Sequence, residues 1–369
     1  MRKHYCYVCE NETYPFLNEK ILIGATSLGN ITYPYSLLMC NNCGHIQKNI
    51  EGKWFSQINN LYQHYPFIGR HINNINGKIV TRESIFIEAL IRVIKLPSKG
   101  SYLDYGCGAG YMLKDFGDKF PSWELSGFDV STNFKDDIIK KYKSDFIDIT
   151  SIKSMNKKFD LITMNHVLEH LADPLIKLKQ IRKNLKNNGH LIVRVPYFSA
   201  VNTDFTLLEH LSHFTHETLD VLVKAAGFNV IRQLDNVSNI EICYICEKSN
   251  KKKIAHYEIK KIEEEAIQAI EWSETVAEFI KNYKLKNKAI FGLGGSGLWL
   301  GTLLKNELSY ILDEDPNKIG KTFSGIPIIH PAEAPENLIT FIAFNNHENS
   351  VCLLERIKDK YALNCVVPE

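Results

Sequence analysis

The stretch Ser-Tyr-Leu-Asp-Tyr-Gly-Cys-Gly-Ala-Gly at residues 101–110 decides the fold, because it joins a short apolar strand to three glycines at alternate positions. Gly106, Gly108 and Gly110 let the backbone turn sharply and approach a bound nucleoside closely, with the next helix beginning at the ligand. Asp104 lies near the end of the strand, just before the loop. The pattern predicts a nucleoside-binding loop within an α/β sheet.

A second acid supports this interpretation. Asp129 ends the next apolar run and follows Gly110 by about 20 residues, a separation at which a carboxylate accepts hydrogen bonds from ribose hydroxyls. The alternative is a dinucleotide-binding unit, because the same geometry serves NAD. The spacing here is G-x-G-x-G and not G-x-G-x-x-G, which disfavours that alternative.

The block at residues 159–174 narrows the interpretation further. It resembles the segment that follows the fourth strand of class I methyltransferases, enzymes that use S-adenosylmethionine (SAM). Ligands of an open α/β sheet lie at the carboxyl ends of the strands, so His166 and Glu169 should lie at the cofactor edge. The resemblance implies that SAM is the cofactor. It implies a cofactor-binding set consisting of Asp104, Gly106, Gly108, Gly110, Asp129 and Asn165.

Apolar runs alternate with amphipathic stretches from residue 81 to about 250, which is typical of β-α units. A helix is predicted over 174–186, closed by Asn188-Gly189. Strands are predicted at 102–104, 124–130, 146–149, 161–164, 191–195, 229–233 and 241–246. The fold class is therefore a doubly wound α/β sheet of the class I methyltransferase type.

Four of the nine cysteines form two tight pairs, Cys6-x-x-Cys9 and Cys40-x-x-Cys43. Two such pairs supply the four thiolates that a tetrahedral structural zinc requires, and a closed site of this kind leaves no position for a catalytic water. His45 is an alternative ligand. The other close pair, Cys243 and Cys246, lies on an apolar strand, and buried thiols on opposite faces are expected there.

Composition excludes several functional classes. The formal net charge is +2 and no long apolar run occurs, so neither nucleic acid nor membrane is expected as a partner. The amino terminus lacks the apolar core of a signal peptide, and a cytoplasmic location is expected.

Three domains are predicted: a zinc-binding domain at 1–80, a methyltransferase domain at 81–250 and a Rossmann-like domain at 251–369. The basic connector at 248–253 marks the second boundary. The third range contains another glycine segment, Gly292-Leu293-Gly294-Gly295-Ser296-Gly297, and acids at 313–315. A structural or substrate-holding role is favoured there over oxidoreductase chemistry, because no catalytic pair follows it.

Taken together, the chain resembles the three-domain sugar C-methyltransferases that act on nucleotide-linked keto-deoxysugars. The motifs that carry this resemblance are the cysteine pairs, the segment Glu209-His210-Leu211-Ser212-His213 and the second glycine segment. It implies an active site containing Glu209 and His210, with His210 as the base that forms an enolate. Tyr65 and His166 complete the expected catalytic set, and the partner is a small nucleotide-linked sugar.

Three positions depart from the family's pattern: Leu207 stands where a tyrosine is usual, Phe67 ends a Tyr-x-Tyr element, and His166 takes the place of an asparagine common at the end of strand four. Two alternatives therefore stay open. One is SAM-dependent methylation of oxygen or nitrogen on a glycan or small metabolite. The other is an inactive zinc-containing binding module.

Overall fold

The computed structural model describes residues 4–26, 31–49, 54, 57, 72–75, 78–147, 156–234, 238–250 and 257–368. Three main sheets organise these residues, one toward each end of the chain and one in the middle. Two predictions fall partly or wholly outside the described residues. Residues 148–149 of the strand predicted at 146–149 are not described, and neither are Tyr65, a predicted catalytic residue, and Phe67.

The central sheet has seven strands in the order β9-β8-β7-β10-β11-β14-β13. Strand β14 runs antiparallel to both of its neighbours, and the remaining pairs are parallel. The strands are β7 (Ser101–Tyr105), β8 (Glu124–Phe128), β9 (Asp145–Ile147), β10 (Phe159–Asn165), β11 (Leu185–Pro196), β13 (Phe228–Gln233) and β14 (Glu241–Lys248).

Five helices accompany this sheet: α1 (Arg82–Val93), α2 (Tyr111–Lys119), α3 (Lys135–Tyr142), α4 (Pro174–Asn184) and α5 (His216–Ala225). Because both faces of the sheet are covered, its strands are almost continuously apolar, as buried parallel strands require. Leu103 packs in the apolar cluster on one face and its neighbour Tyr102 in the cluster on the other. Cys243 and Cys246 are likewise buried on opposite faces, as predicted.

The amino-terminal sheet consists of β1 (Thr13–Phe16), β2 (Leu22–Ala25), β3 (Thr32–Cys40) and β4 (Ile46–Asn49). A short strand from the middle of the chain, β12 (Ser212–His213), pairs antiparallel with β4 and completes it. Strands β5 (Ile72–Ile75) and β6 (Lys78–Thr81) form a separate hairpin before α1. The segment that contains Glu209 and His210 is therefore attached to the cysteine-bearing sheet.

The carboxyl-terminal sheet follows the long helix α6 (Ile259–Asn282) and has the order β17-β18-β16-β15-β19-β20. It is parallel except for β17. Its elements are β15 (Lys288–Phe291), α7 (Gly295–Leu303), β16 (Tyr310–Leu312), β17 (Thr322–Phe323), β18 (Ile326–Ile329), β19 (Ile339–Phe341), α8 (His347–Lys358) and β20 (Asn364–Val366).

The predicted fold class is confirmed, but the predicted end of α4 was wrong. Helix α4 ends at Asn184, because Leu185 already has the extended conformation (φ −88°, ψ 140°). Asn188-Gly189 belongs to β11 and does not close the helix. The division into three domains stays a prediction.

In the part of the chain that the structure describes, none of the helices combines the length and apolar character that crossing a bilayer needs.

Candidate active site

The central sheet has its topological switch point between β7 and β10, which lie side by side although β8 and β9 intervene in the chain. Ligands of doubly wound sheets bind in the crevice outside the carboxyl ends of such strands. The glycine loop leaves β7 at this edge, and Asn165 ends β10 beside it.

The glycine loop is shaped by left-handed backbone at Gly106 (φ +85°), Gly108 (φ +49°) and Gly110 (φ +78°). A β-carbon at Gly106 would lie 2.4 Å from Cγ2 of Val167, so glycine lets the chain after β10 approach the loop. A β-carbon at Gly108 would meet no atom within 4 Å. The loop is therefore packed against protein at Gly106 and faces open space at Gly108, where a ligand fits.

Asp129 holds the loop from the end of β8. Its Oδ2 accepts the N–H of Gly108 at 2.8 Å, and its Oδ1 accepts the N–H of Ser131 at 2.9 Å. Burial raises the pKa of Asp129, against these backbone hydrogen bonds, which lower it. The carboxylate is half-buried, and its remaining lone pairs can accept further hydrogen bonds.

Asp104 lies underneath the loop. It is 3% exposed and accepts a 2.6 Å hydrogen bond from Thr163, which also contacts Tyr102 OH at 2.7 Å. Burial raises the pKa of Asp104 to about 7, and the hydrogen bond from Thr163 opposes the shift. This geometry gives Asp104 a supporting place below the loop.

Asn165 presents an orphaned amide at the same edge. Its side-chain nitrogen and oxygen are both buried, and neither makes a hydrogen bond of good geometry among the described residues, although the amide lies near Asp104 and acts to lower the pKa of that carboxyl. A buried amide without a partner is costly, so a ligand that supplies both a donor and an acceptor would be bound favourably there.

His166 belongs to an ion cluster. Its Nε2 lies 2.6 Å from Oε1 of Glu241, which also contacts Arg82, and its Nδ1 lies 3.2 Å from Oε1 of Glu169. Arg194 pairs with the other oxygen of Glu241 at 2.8 Å. Burial, followed by the charges of Arg82 and Arg194, holds the pKa of His166 well below its ordinary value. With both ring nitrogens beside carboxylates, this arrangement favours a structural role over proton transfer.

His210 is paired with a carboxylate, as a histidine that acts as a general base commonly is. Its Nδ1 donates to Oδ1 of Asp204 at 2.6 Å, and Asp204 accepts from Nδ1 of His213 through its other oxygen at 2.6 Å. Burial acts to lower the pKa of His210, but the charge and the hydrogen bond of Asp204 outweigh it, so the net shift is upward. Burial would raise the pKa of Asp204, yet the two histidines hold it well below its ordinary value.

Lys48, from β4, holds the turn that carries His210. The side chain is buried, and Nζ donates to the carbonyls of Leu207 at 2.6 Å and His210 at 2.7 Å. Burial lowers the pKa of Lys48 to about 7, against the charge of Asp204. Glu209 stands between Leu207 and His210 in the sequence, and its side chain is buried. The cysteine-bearing sheet thus fixes the backbone of the candidate base.

The turn after β10 (residues 168–170) meets His210 from the other side. Nδ1 of His170 donates to the carbonyl of Glu209 at 2.9 Å, and the rings of His170 and His210 stand edge to face with centroids 4.9 Å apart. Burial lowers the pKa of His170 to about 3, with the charge of His210 adding to the effect. His170 thus joins the turn after β10 to the segment that contains Glu209.

The four predicted ligand thiols come together. Sγ of Cys9 lies 3.5 Å from the sulfurs of both Cys40 and Cys43, and Sγ of Cys6 lies 3.7 Å from that of Cys43. Four sulfurs at about 2.3 Å from one tetrahedral zinc would be about 3.8 Å apart, so the donor set fits that ion. His45 is not part of this cluster: its Nε2 contacts Ser212 Oγ at 3.2 Å.

Sequence reasoning missed Asp204, Lys48 and Arg82. Asp204 lies six residues before its partner in sequence, and Lys48 lies 159 and 162 residues from the carbonyls that it binds. The only local signal was the short Asp204-to-His210 spacing, because the other contacts depend on how distant segments meet.

The comparisons with known proteins agree with this geometry. Residues 81–233 match the family model described as a methyltransferase domain. With the seven-stranded order described above, this part of the chain is a class I methyltransferase domain.

Two curated relatives match shorter stretches. The tRNA U34 carboxymethyltransferase of Sulfurimonas denitrificans is 35% identical over 104 residues, 26% of this chain and 35% of that protein. An uncharacterized 37.1 kDa protein in transposon TN4556 of Streptomyces fradiae is 26% identical over 131 residues, 34% of this chain and 38% of that protein. The chain thus spans little more than a third of either relative.

Among solved structures, a S-adenosylmethionine-dependent methyltransferase from Clostridium acetobutylicum ATCC 824 matches with a TM-score of 0.38 and 15% identity. The match covers 46% of this chain and 91% of that protein.

Proposed function

We propose that this protein is a SAM-dependent methyltransferase that methylates the carbon next to the ketone of a nucleotide-linked keto-deoxysugar. The observation that carries the proposal is the Asp204–His210 pair beside the glycine-loop edge of the methyltransferase domain. The Asp204–His210 pair and the glycine loop are connected through the segment after β10, where Val167 packs against Gly106 and His170 contacts His210.

Residues at the switch point fit SAM. The open space at Gly108, the half-buried carboxylate of Asp129 and the orphaned amide of Asn165 suit an adenosine moiety with ribose hydroxyls and hydrogen-bonding base edges. SAM supplies an electrophilic methyl group on a sulfonium. The role of this chain is to orient that methyl group and to exclude water from it.

His210 would remove the proton next to the ketone. Because its Nδ1 donates to Asp204, the neutral imidazole carries its lone pair on Nε2. The proton would go to Nε2 and the C–H electron pair into an enolate, whose carbon could then take the methyl group that bound SAM would supply. The imidazolium that results is stabilised by the carboxylate of Asp204 at 2.6 Å.

The cysteine cluster supports zinc in a structural role. Four thiols around one position leave no open ligand site. The metal would stabilise the two turns that contain the cysteine pairs, one before β1 and one before β4. Strand β4 also carries Lys48, which holds the turn of His210. Zinc would therefore act on folding and not on the chemical step.

The test is a mass-spectrometric screen of keto-sugar nucleotides and their hydroxylated counterparts, with SAM as donor. The proposal predicts the mass gain of one methyl group, less a hydrogen, on the keto compounds. It also predicts exchange of the α proton with deuterated water in the absence of SAM. Methylation of the hydroxylated compounds without α exchange would instead identify an O-methyltransferase, and failure to bind SAM would leave only the zinc-containing binding module.

The base assignment has its own test. His210→Gln should keep SAM affinity and lose α exchange, while the matched exposed substitution His347→Gln should keep both. The base must be neutral, so activity should appear as pH rises through the elevated pKa of His210. Asp204→Asn removes the charge that raises this pKa, so the acidic limb should move to lower pH while the rate falls. An acidic limb that does not move in Asp204→Asn would contradict the dyad.

A further inference from the structure

A second cluster of metal-ligand side chains lies apart from the four cysteines. Glu169, His170 and His210 each offer one ligand atom, and the three atoms lie within 4.8 Å of one another. They come from two segments, the turn after β10 and the turn before β12. Two imidazoles and one carboxylate form a donor set that proteins use for zinc and for ferrous iron.

The two histidines are oriented as metal ligands are. Each donates its Nδ1 hydrogen to a protein oxygen, His170 to the carbonyl of Glu209 at 2.9 Å and His210 to the carboxylate of Asp204 at 2.6 Å. Such outer hydrogen bonds fix the tautomer and place the lone pair on Nε2, which then faces the ion. The Asp204–His210 pair is the carboxylate–histidine arrangement found behind many bound metals.

Glu169 provides the independent observation. The residue is 1% exposed, and neither carboxylate oxygen receives a hydrogen bond from another described residue. Its nearest ring nitrogens are Nδ1 of His166 at 3.2 Å and Nε2 of His170 at 4.0 Å. A buried carboxylate with so little compensation is costly, and a divalent cation between it and the two imidazoles would remove that cost.

We propose that Glu169, His170 and His210 bind one divalent first-row transition cation, with zinc as the ion to test, and that its binding inhibits methyl transfer. The coordinate bond would use the lone pair on Nε2 of His210, so a filled site leaves that nitrogen unable to accept a proton. Metal and proton compete for one atom. The inhibitory part rests on the proposed function; the binding part does not.

The binding part is tested by counting metal. Zinc is added to the full-length protein as purified, unbound metal is removed, and zinc per chain is measured by mass spectrometry. We expect two zinc ions per chain in the wild type and one in Glu169→Gln and in His170→Gln. The control Glu271→Gln, an exposed change on α6, should retain two. Asp204→Asn should weaken the second site by about 10- to 100-fold, the usual effect of losing an outer hydrogen bond.

Cobalt(II) keeps the test valid if a variant folds poorly. The four-thiolate site gives a strong sulfur-to-cobalt absorption band, whereas the second site lacks sulfur. Each variant should therefore retain the band of the first site and lose only the weaker spectrum of the second. A wild type that binds one ion, or a Glu169→Gln variant that still binds two, would overturn the proposed site.

The inhibitory part is tested by zinc titration of methyl transfer. Turnover should fall at least tenfold, with a midpoint equal to that of second-site occupancy. Undiminished turnover with both sites filled would overturn the inhibition. If no acceptor is methylated even without added zinc, the proposed function fails, while the metal count still decides the site.

Discussion

The chain contains two glycine loops with nearly the same backbone geometry, and they differ in what lies beside the acid that follows each loop. The N–H of Gly106 donates to Phe128 O and that of Gly292 to Leu312 O, each at 2.7 Å, and φ is +85° at both glycines. In each unit an acid after the next strand accepts a hydrogen bond from the loop, Asp129 from Gly108 at 2.8 Å and Asp313 from Leu293 at 2.7 Å.

The difference lies in what surrounds the acid. Nζ of Lys318 lies 3.1 Å from Oδ2 of Asp313 and donates to the carbonyl of Leu293, also at 3.1 Å. The position that a ribose would take near the acid is thus occupied by a lysine. No corresponding cation contacts Asp129 among the described residues.

The helix-side part of the second loop contacts protein, whereas Gly292 and Gly294 face open space. Ser296 Oγ lies 3.1 Å from Thr203 Oγ1 and accepts the N–H of Asn345 at 3.1 Å. A β-carbon at Gly295 would lie 3.7 Å from Leu207. These contacts hold the segment that carries Asp204. We therefore expect the same local motif to serve as a ligand loop in the first unit and as a scaffold in the second.

The largest expected difference comes from one matched pair of substitutions. Gly106→Ala combines a left-handed φ with a contact of 2.4 Å to Val167, whereas Gly292→Ala has the same φ and open space. We expect Gly106→Ala to lower the free energy of unfolding by about 2–5 kcal/mol and Gly292→Ala by about 1–2 kcal/mol. Urea unfolding measures both, and equal losses would contradict the packing argument.

The acids give the next contrast. Asp129→Ala should weaken SAM binding by about 10- to 100-fold, because hydrogen bonds to a charged group contribute about 1.5–3 kcal/mol. Asp313→Ala should leave SAM affinity within about twofold, because Lys318 already pairs with this acid and takes the position of a ribose. Calorimetry decides the pair, and a loss of affinity in Asp313→Ala similar to that in Asp129→Ala would show that the second loop contributes to the cofactor site.

The smallest effect is expected at Lys318. Its removal in Lys318→Met leaves Asp313 with the backbone N–H groups of Leu293 and Asp315. Because the pair is largely buried but Asp313 keeps these two donors, we expect a loss of about 1 kcal/mol in stability and no change in SAM affinity. Urea unfolding and calorimetry measure the two quantities, and a loss above about 3 kcal/mol, the effect of breaking a buried pair, would show that the lysine is essential to the scaffold.

The sequence predicts those features that depend on neighbouring residues. The glycine loop follows from a strand, three glycines and a helix in sequence, and the cysteine cluster follows from two tight pairs. The end of α4 was missed because Asn188-Gly189 is also compatible with the first part of a buried strand, here β11. Lys48 could not be predicted, since its partners are more than 150 residues away and are brought to it by the pairing of β4 with β12.

The most direct test of the central claim is calorimetric titration of SAM into the wild type, Asp129→Ala and Asp313→Ala. One SAM site per chain is expected, weakened in Asp129→Ala and unchanged in Asp313→Ala. Two equivalent sites, or a single site that depends on Asp313 and not on Asp129, would contradict the assignment of the first loop as the cofactor site.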